Sequence, residues 1–235
     1  RLNEEFANKL EDLIQNPNTL KYDFSNLKSV SVLTAPKNKF RIYTWPLELT
    51  GNNFDYFGFT QYQLRKKGGG VKVTKLNNSI FDIRHDDEKS YKASQWRGVL
   101  YYEIVIPKSR RGRKFLLLGW DGNNARSSKK VVEVISFNRK GEPTFGAPVI
   151  KFDIGKRKQV KYVTKFRLEF EFSSKIAMLL KYDKNLKMVV FDQLSPSNDN
   201  LKAIKASYVP NFSYDALEFR KGKWYMKRNI DARNK

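Results

Sequence analysis

Cysteine is absent from the 235 residues, histidine occurs once, and acidic residues number 24 against 46 lysines and arginines. Each shortage closes a class of chemistry. Without cysteine there are no disulfides, thiolate metal sites, thiol nucleophiles or iron–sulfur clusters, and the redox compartment leaves no trace. A single histidine removes multi-histidine metal centres. No uninterrupted apolar run approaches the roughly 18 residues of a membrane-spanning helix. What remains is a chain of formal charge +22 with 40% hydrophobic and 14% aromatic residues. That apolar content builds a sizeable core and is too high for a disordered segment, and the length fits one large domain or two small ones.

Leu2, Phe6, Leu10, Leu13 and Ile14 recur at helical spacing, with Asn3 as a cap, Glu4 and Glu5 at the positive end of the dipole and Asn16-Pro17-Asn18 as the stop. Residues 1–28 therefore read as a helix and linker packed on the body of the protein. From Ser29 the pattern changes to short Val/Ile/Phe/Tyr stretches broken by Asn, Asp, Gly and Pro. These predict a mainly β domain over 29–235, an antiparallel meander of hairpins. The strands fall near 30–34, 39–45, 55–64, 71–76, 99–106, 114–120, 130–137, 143–151, 162–172, 176–182, 187–193, 215–220 and 223–228, with 77–98 and 194–214 as long connections.

Three segments share a pattern: Phe40–Trp45, Lys114–Trp120 and Met178–Tyr182 each end on an aromatic residue, turn on Asn/Asp/Gly and return as an apolar strand. Arg65-Lys66-Lys67-Gly68, Arg139-Lys140-Gly141 and Arg220-Lys221-Gly222 each sit between two strand stretches as basic turns. Units at 29–76, 99–151 and 162–228 would make propeller-like blades, although propellers have about four blades or more. An irregular sandwich is the other architecture.

Candidate chemistry is sparse. Asp121-Gly-Asn-Asn resembles the start of a calcium loop, but an EF-hand needs glycine where Arg126 stands and a carboxylate where Val132 stands. A hairpin turn is the expectation, Asp-Gly suiting a type I′ turn. His85, the one conventional general base, has no Gly-x-Ser-x-Gly elbow to serve. Asp121, Asp153, Asp192 and Asp215 are the carboxylates a hydrolase could use, and no linear spacing pairs them. Gly68-Gly69-Gly70 lacks the Walker pattern and reads as a hairpin tip. No cofactor and no metal site is expected. Basic residues cluster at Lys108, Arg110, Arg111, Arg113 and Lys114, at Lys156, Arg157, Lys158 and Lys161, and at Arg220, Lys221, Lys223, Lys227 and Arg228. Tyr101, Phe115, Tyr162, Trp224 and Tyr225 interleave with them, the composition of a polyanion surface. On alternating strands the aromatics are expected inward and the cations outward.

Phe40–Trp45, Leu116–Asn124, Phe191–Pro196, Tyr214–Trp224 and Asp231–Asn234 together resemble an uncharacterised exported β-rich family of Bacteroidota-type bacteria. The resemblance implies a periplasmic or cell-surface protein whose signal peptide has been removed, in keeping with a first residue, Arg1, that is not methionine. It transfers no catalytic residue. The reading that follows is a non-enzymatic protein acting by protein–protein contacts, an accessory subunit of an outer-membrane assembly or secretion complex. Trp45, Lys108, Arg110, Arg111, Arg113, Trp120, Arg139, Lys140, Arg220, Lys221 and Trp224 are its interaction candidates, because Trp and Arg anchor interfaces. The alternatives are a polyanion-binding module, for nucleic acid, lipopolysaccharide phosphate or acidic glycan, and a carboxylate-dependent hydrolase.

Overall fold

The computed structural model describes residues 2–64, 69–79, 86–106, 114–155 and 159–231. The one α-helix among these described residues, α1 (Leu2–Ile14), buries Ala7, Leu10 and Ile14, whereas Leu2 is 82% exposed and Leu13 50%. The apolar face is thus rotated from the one the leucines suggest. Asn3 lies inside the helix and is no cap: its Oδ1 accepts from Trp45 Nε1 at 2.8 Å and ties the helix to a strand. Asn16 ends the helix by capping the 3-10 turn Pro17–Lys21, accepting from the Asn18 amide at 3.0 Å.

The rest of the described residues is mainly β, in three sheets with no closed barrel among them. The first is the meander β1 (Ser31–Thr34), β2 (Phe40–Leu49), β3 (Asn53–Gln63) and β4 (Val71–Leu76). The second orders β5 (Tyr91–Lys92), β9 (Pro143–Phe145), β8 (Ser127–Phe137), β7 (Phe115–Asp121) and β6 (Leu100–Val105), with β12 (Leu168–Ser173) also paired to β8. The third orders β11 (Tyr162–Lys165), β10 (Ile150–Asp153), β16 (Lys223–Ile230), β15 (Tyr208–Arg220), β14 (Met188–Pro196) and β13 (Leu180–Asp183). Among the described strands every pairing is antiparallel except β10 with β16.

The layers follow from side-chain alternation. Tyr43, Trp45 and Phe59 leave one face of the first sheet to pack on α1. Phe40, Ile42, Tyr56 and Tyr62 leave the other to meet Tyr101, Phe115, Leu117, Val131 and Ile135 of the second sheet. Leu116, Leu118, Val132 and Val134 leave the far side of that sheet and pack on Val189, Phe191, Leu217, Trp224 and Met226 of the third. The second sheet is therefore buried on both faces, which is why β7 and β8 carry consecutive rather than alternating apolar residues.

Two strands read from the sequence are each two strands. The stretch 143–151 divides into β9 and β10, and 162–172 into β11 and β12; in both cases the halves lie in different sheets. Gly146, at φ +87°, and Pro148 break the first. Unit 29–76 supplies the whole first sheet, but 99–151 gives β10 to the third and 162–228 gives β12 to the second. Much of 194–214, read as a connection, is strand: Leu194–Pro196 pairs with Tyr208–Pro210.

Candidate functional site

The four carboxylates considered for hydrolysis are all engaged. Asp121, on the last residue of β7, accepts from Tyr56 Oη at 3.1 Å and from the Asn123 amide at 2.9 Å, and pairs with Arg97 Nη2 at 3.2 Å. Arg97 also pairs with Glu169, so this cluster is an internal tie between sheets. The chain after Asp121 does turn back, but over 122–126, longer than a two-residue turn. Asp153 accepts from the Gly155 and Lys161 amides at 2.8 and 2.9 Å and pairs with Arg228 at 3.2 Å. Burial raises its pKa, but those amides and Arg228 outweigh it and hold the carboxyl below its ordinary range. Asp192 takes the Leu179 amide at 2.7 Å; Asp215 takes Gln193 Nε2 at 2.7 Å and the Asn229 amide at 2.9 Å. Burial pushes both of these carboxyls up, and the charge of Asp153 adds to the effect at Asp215. Asp153 and Asp215 are each only 6% exposed, with their oxygens taken by strand amides and side chains. Among the described residues no group of three or more His, Asp or Glu side chains is arranged to hold a metal ion. His85 and Gly68 lie outside the described residues.

The interaction candidates separate into three groups. Trp45 (5% exposed) and Trp224 (2%) are core, the first against Phe6, Phe57 and Phe59 and the second in the cluster between the second and third sheets, so neither offers a contact surface. Trp120 is half-buried, edge-on to Phe54 at 5.3 Å. Arg139 and Lys140 are exposed on the β8–β9 turn, where Gly141 lies against Tyr62 and Lys72 of the first sheet. Arg220 and Lys221 are exposed on the β15–β16 hairpin of the third sheet. Lys108, Arg110, Arg111 and Arg113, with the basic turn 65–68 and Lys156, Arg157 and Lys158, lie outside the described residues.

The structure assembles one surface from residues the sequence scatters: the outer face of the third sheet, which carries none of the three hydrophobic clusters. Register places Lys181, Val190, Ala216 and Lys227 in one row across β13, β14, β15 and β16. The neighbouring row runs Asp183, Met188, Glu218, Tyr225, Lys151 and Thr164, and Arg220 pairs with Lys223 at the hairpin end. Its acids are occupied: Glu218 pairs with Lys227 at 3.1 Å, Asp183 accepts the Asn185 and Leu186 amides at 2.9 Å, and Asp153 is held by Arg228. Two tyrosines stand among the cations. The Arg220 guanidinium lies 4.2 Å from the Tyr225 ring centre, and Tyr162 meets Tyr225 edge-on at 5.4 Å. Tyr101, Phe115 and Trp224 face the core as alternation requires, but Tyr162 and Tyr225 face outward with the lysines. Lys151 and Lys181 belong to this face and to no linear cluster; the signal for them is period two along β10 and β13, readable only once strand partners are known.

No protein-family model, curated protein or solved structure matches the chain. Among the described residues no helix is long and apolar enough to cross a membrane.

Proposed function

We propose that the chain is a non-enzymatic binding domain of the cell envelope, periplasmic or at the cell surface, and that the outer face of the third sheet receives an anionic polymer. The carrying observation is that face: Lys151, Lys181, Arg220, Lys223 and Lys227 gathered on the side of the third sheet turned away from the hydrophobic clusters, around a buried middle of Val190 and Ala216, with Tyr162 and Tyr225 among them and the neighbouring acids already engaged. Charge supplies attraction to phosphate, sulfate or carboxylate, and the tyrosines supply flat surface. Envelope placement is supported by the resemblance described above. A single-stranded oligonucleotide, a sulfated glycan and lipopolysaccharide are the probes, each titrated across salt. If five cations contact a single strand, affinity falls roughly a hundredfold between about 50 and 200 mM salt. Arg220→Glu/Lys223→Glu abolishes binding, whereas Lys75→Glu/Lys92→Glu, on other sheets, does not. Salt-insensitive binding, or equal loss in both variants, refutes the assignment.

A second reading, an accessory subunit of an outer-membrane assembly or secretion complex, is favoured by Phe212. This β15 residue is 92% exposed and held at φ +66°, a conformation bulky side chains rarely adopt. An aromatic residue displayed on a strained backbone suits an interface anchor. Pull-down from envelope extracts with Phe212→Ser beside the native chain tests it: a partner lost with the ring supports the reading, and free monomer in both counts against it.

A further inference from the structure

Arg41 belongs to β2, opposite Thr34, on the face of the first sheet that α1 and the segment 17–30 cover. It is 8% exposed. Its Nη1 donates to the carbonyls of Thr19 at 2.9 Å and Tyr22 at 2.7 Å, and its guanidinium stands 5.3 Å from the centre of the Phe24 ring. Nε, out of solvent, has no hydrogen-bond partner. Buried donors are almost always satisfied, and a buried cation calls for a countercharge. The nearby acid is Asp23, which feels the Arg41 charge less than its own hydrogen bonds: its exposed carboxylate accepts from the Ser25 amide and hydroxyl, both at 2.9 Å. The Tyr43 hydroxyl is pushed up to about 12 by burial despite Arg41, so it stays neutral.

Arg41 lines a cavity of about 610 Å³ with Lys21 and Lys28, and Phe24, Val30 and Val32 form an apolar wall. The volume falls within the roughly 300–1,000 Å³ of small-molecule sites. Three cations and one engaged acid beside a hydrophobic wall fit a molecule with an anionic head and an apolar body. We infer that this cavity binds a small organic anion, a carboxylate or phosphate monoester carrying an apolar group. Lys21, Lys28 and Arg41 hold the head, and Phe24, Val30 and Val32 receive the body. The site lies on the first sheet and does not depend on the third-sheet face.

Calorimetric titration with octanoate, octyl phosphate and inorganic phosphate tests it. The two octyl anions bind saturably at one per chain, and inorganic phosphate, lacking the body, binds at least about tenfold more weakly. Arg41→Lys loses affinity but disturbs the carbonyls it holds. Lys21→Met/Lys28→Met changes only exposed residues and keeps the test independent of folding; it weakens both octyl anions by at least about tenfold with an unchanged circular dichroism spectrum. Arg220→Glu/Lys223→Glu leaves them unaffected, which separates this site from the polymer face. Vesicles containing phosphatidic acid identify the source: co-sedimentation displaced by octyl phosphate assigns a lipid headgroup, and no co-sedimentation assigns a free anion. No saturable binding of either octyl anion up to about 10 mM, or equal affinity in the double lysine variant, overturns the inference.

Discussion

Arg167 and Glu133 are each 1% exposed and meet at 3.0 Å between Nε and Oε2, with Nη1 of the arginine reaching the carbonyls of Asp86 and Lys89. Burial pushes the Glu133 carboxyl above its ordinary range, against the pull of Arg167 and Arg97. Arg167→Met removes the main opposing charge and frees three backbone acceptors, the carbonyls of Asp86, Lys89 and Phe145, and a cost of about 3–5 kcal/mol is expected. The sign of its pH dependence is fixed. A carboxyl whose folded pKa exceeds its unfolded value holds more protons folded than unfolded, so stability falls as pH rises between the two. The variant's deficit is smallest near pH 4 and widens toward neutrality; urea unfolding across that range measures it, and a flat deficit contradicts the account. None of this shows in the sequence. Glu133 stands in Val131-Val132-Glu133-Val134-Ile135 and Arg167 lies 34 residues on, so only the sheet makes them a pair.

At the level of elements, β1 to β4, β6, β7 and β16 were legible to within a few residues, because alternation and Asn/Asp/Gly turns are local signals. Sheet membership was not. β10 pairs with β16 and β12 with β8 across long stretches of chain, and nothing in 143–151 or 162–172 announces which sheet each half joins. The candidate site fared likewise: Arg220, Lys223 and Lys227 stood out as a cluster, whereas Lys151 and Arg41 gain meaning only from their partners. The break at Gly146 has a testable cost. A β-carbon there would lie 2.6 Å from Arg167 Nη2 and 2.7 Å from the Lys89 carbonyl, at φ +87°. Gly146→Ala combines backbone strain with overpacking and should destabilise by about 2–4 kcal/mol in denaturant unfolding. An unchanged midpoint would show that the crossover is not held there.

The whole molecule is a series of layers, α1, first sheet, second sheet and third sheet, closed by a helix at one end and by lysines, arginine and tyrosines at the other. With a net charge of +22, self-repulsion works against the folded state and is screened by salt. The melting temperature should therefore rise by about 2–4 °C between roughly 10 and 300 mM NaCl, as recovery of about 1 kcal/mol implies. Arg220→Glu/Lys223→Glu should reduce that increment. A fall with salt would mean that ion pairs such as Lys227–Glu218 outweigh the repulsion.

The interleaving of the second and third sheets also sets an order of events. The first sheet closes among residues 31–76, but β10 and β11 must wait for β16, whose first residue is Lys223. As the chain leaves a ribosome or a membrane pore, the helix-capped end can assemble early, while β10 and β11 stay without their central strand until nearly all the described chain has emerged. Non-local pairing of this kind is slow and leaves strand edges open in the interval. The cationic face is thus the last surface to form, and a chaperone or an anionic ligand present during emergence would meet it half-built.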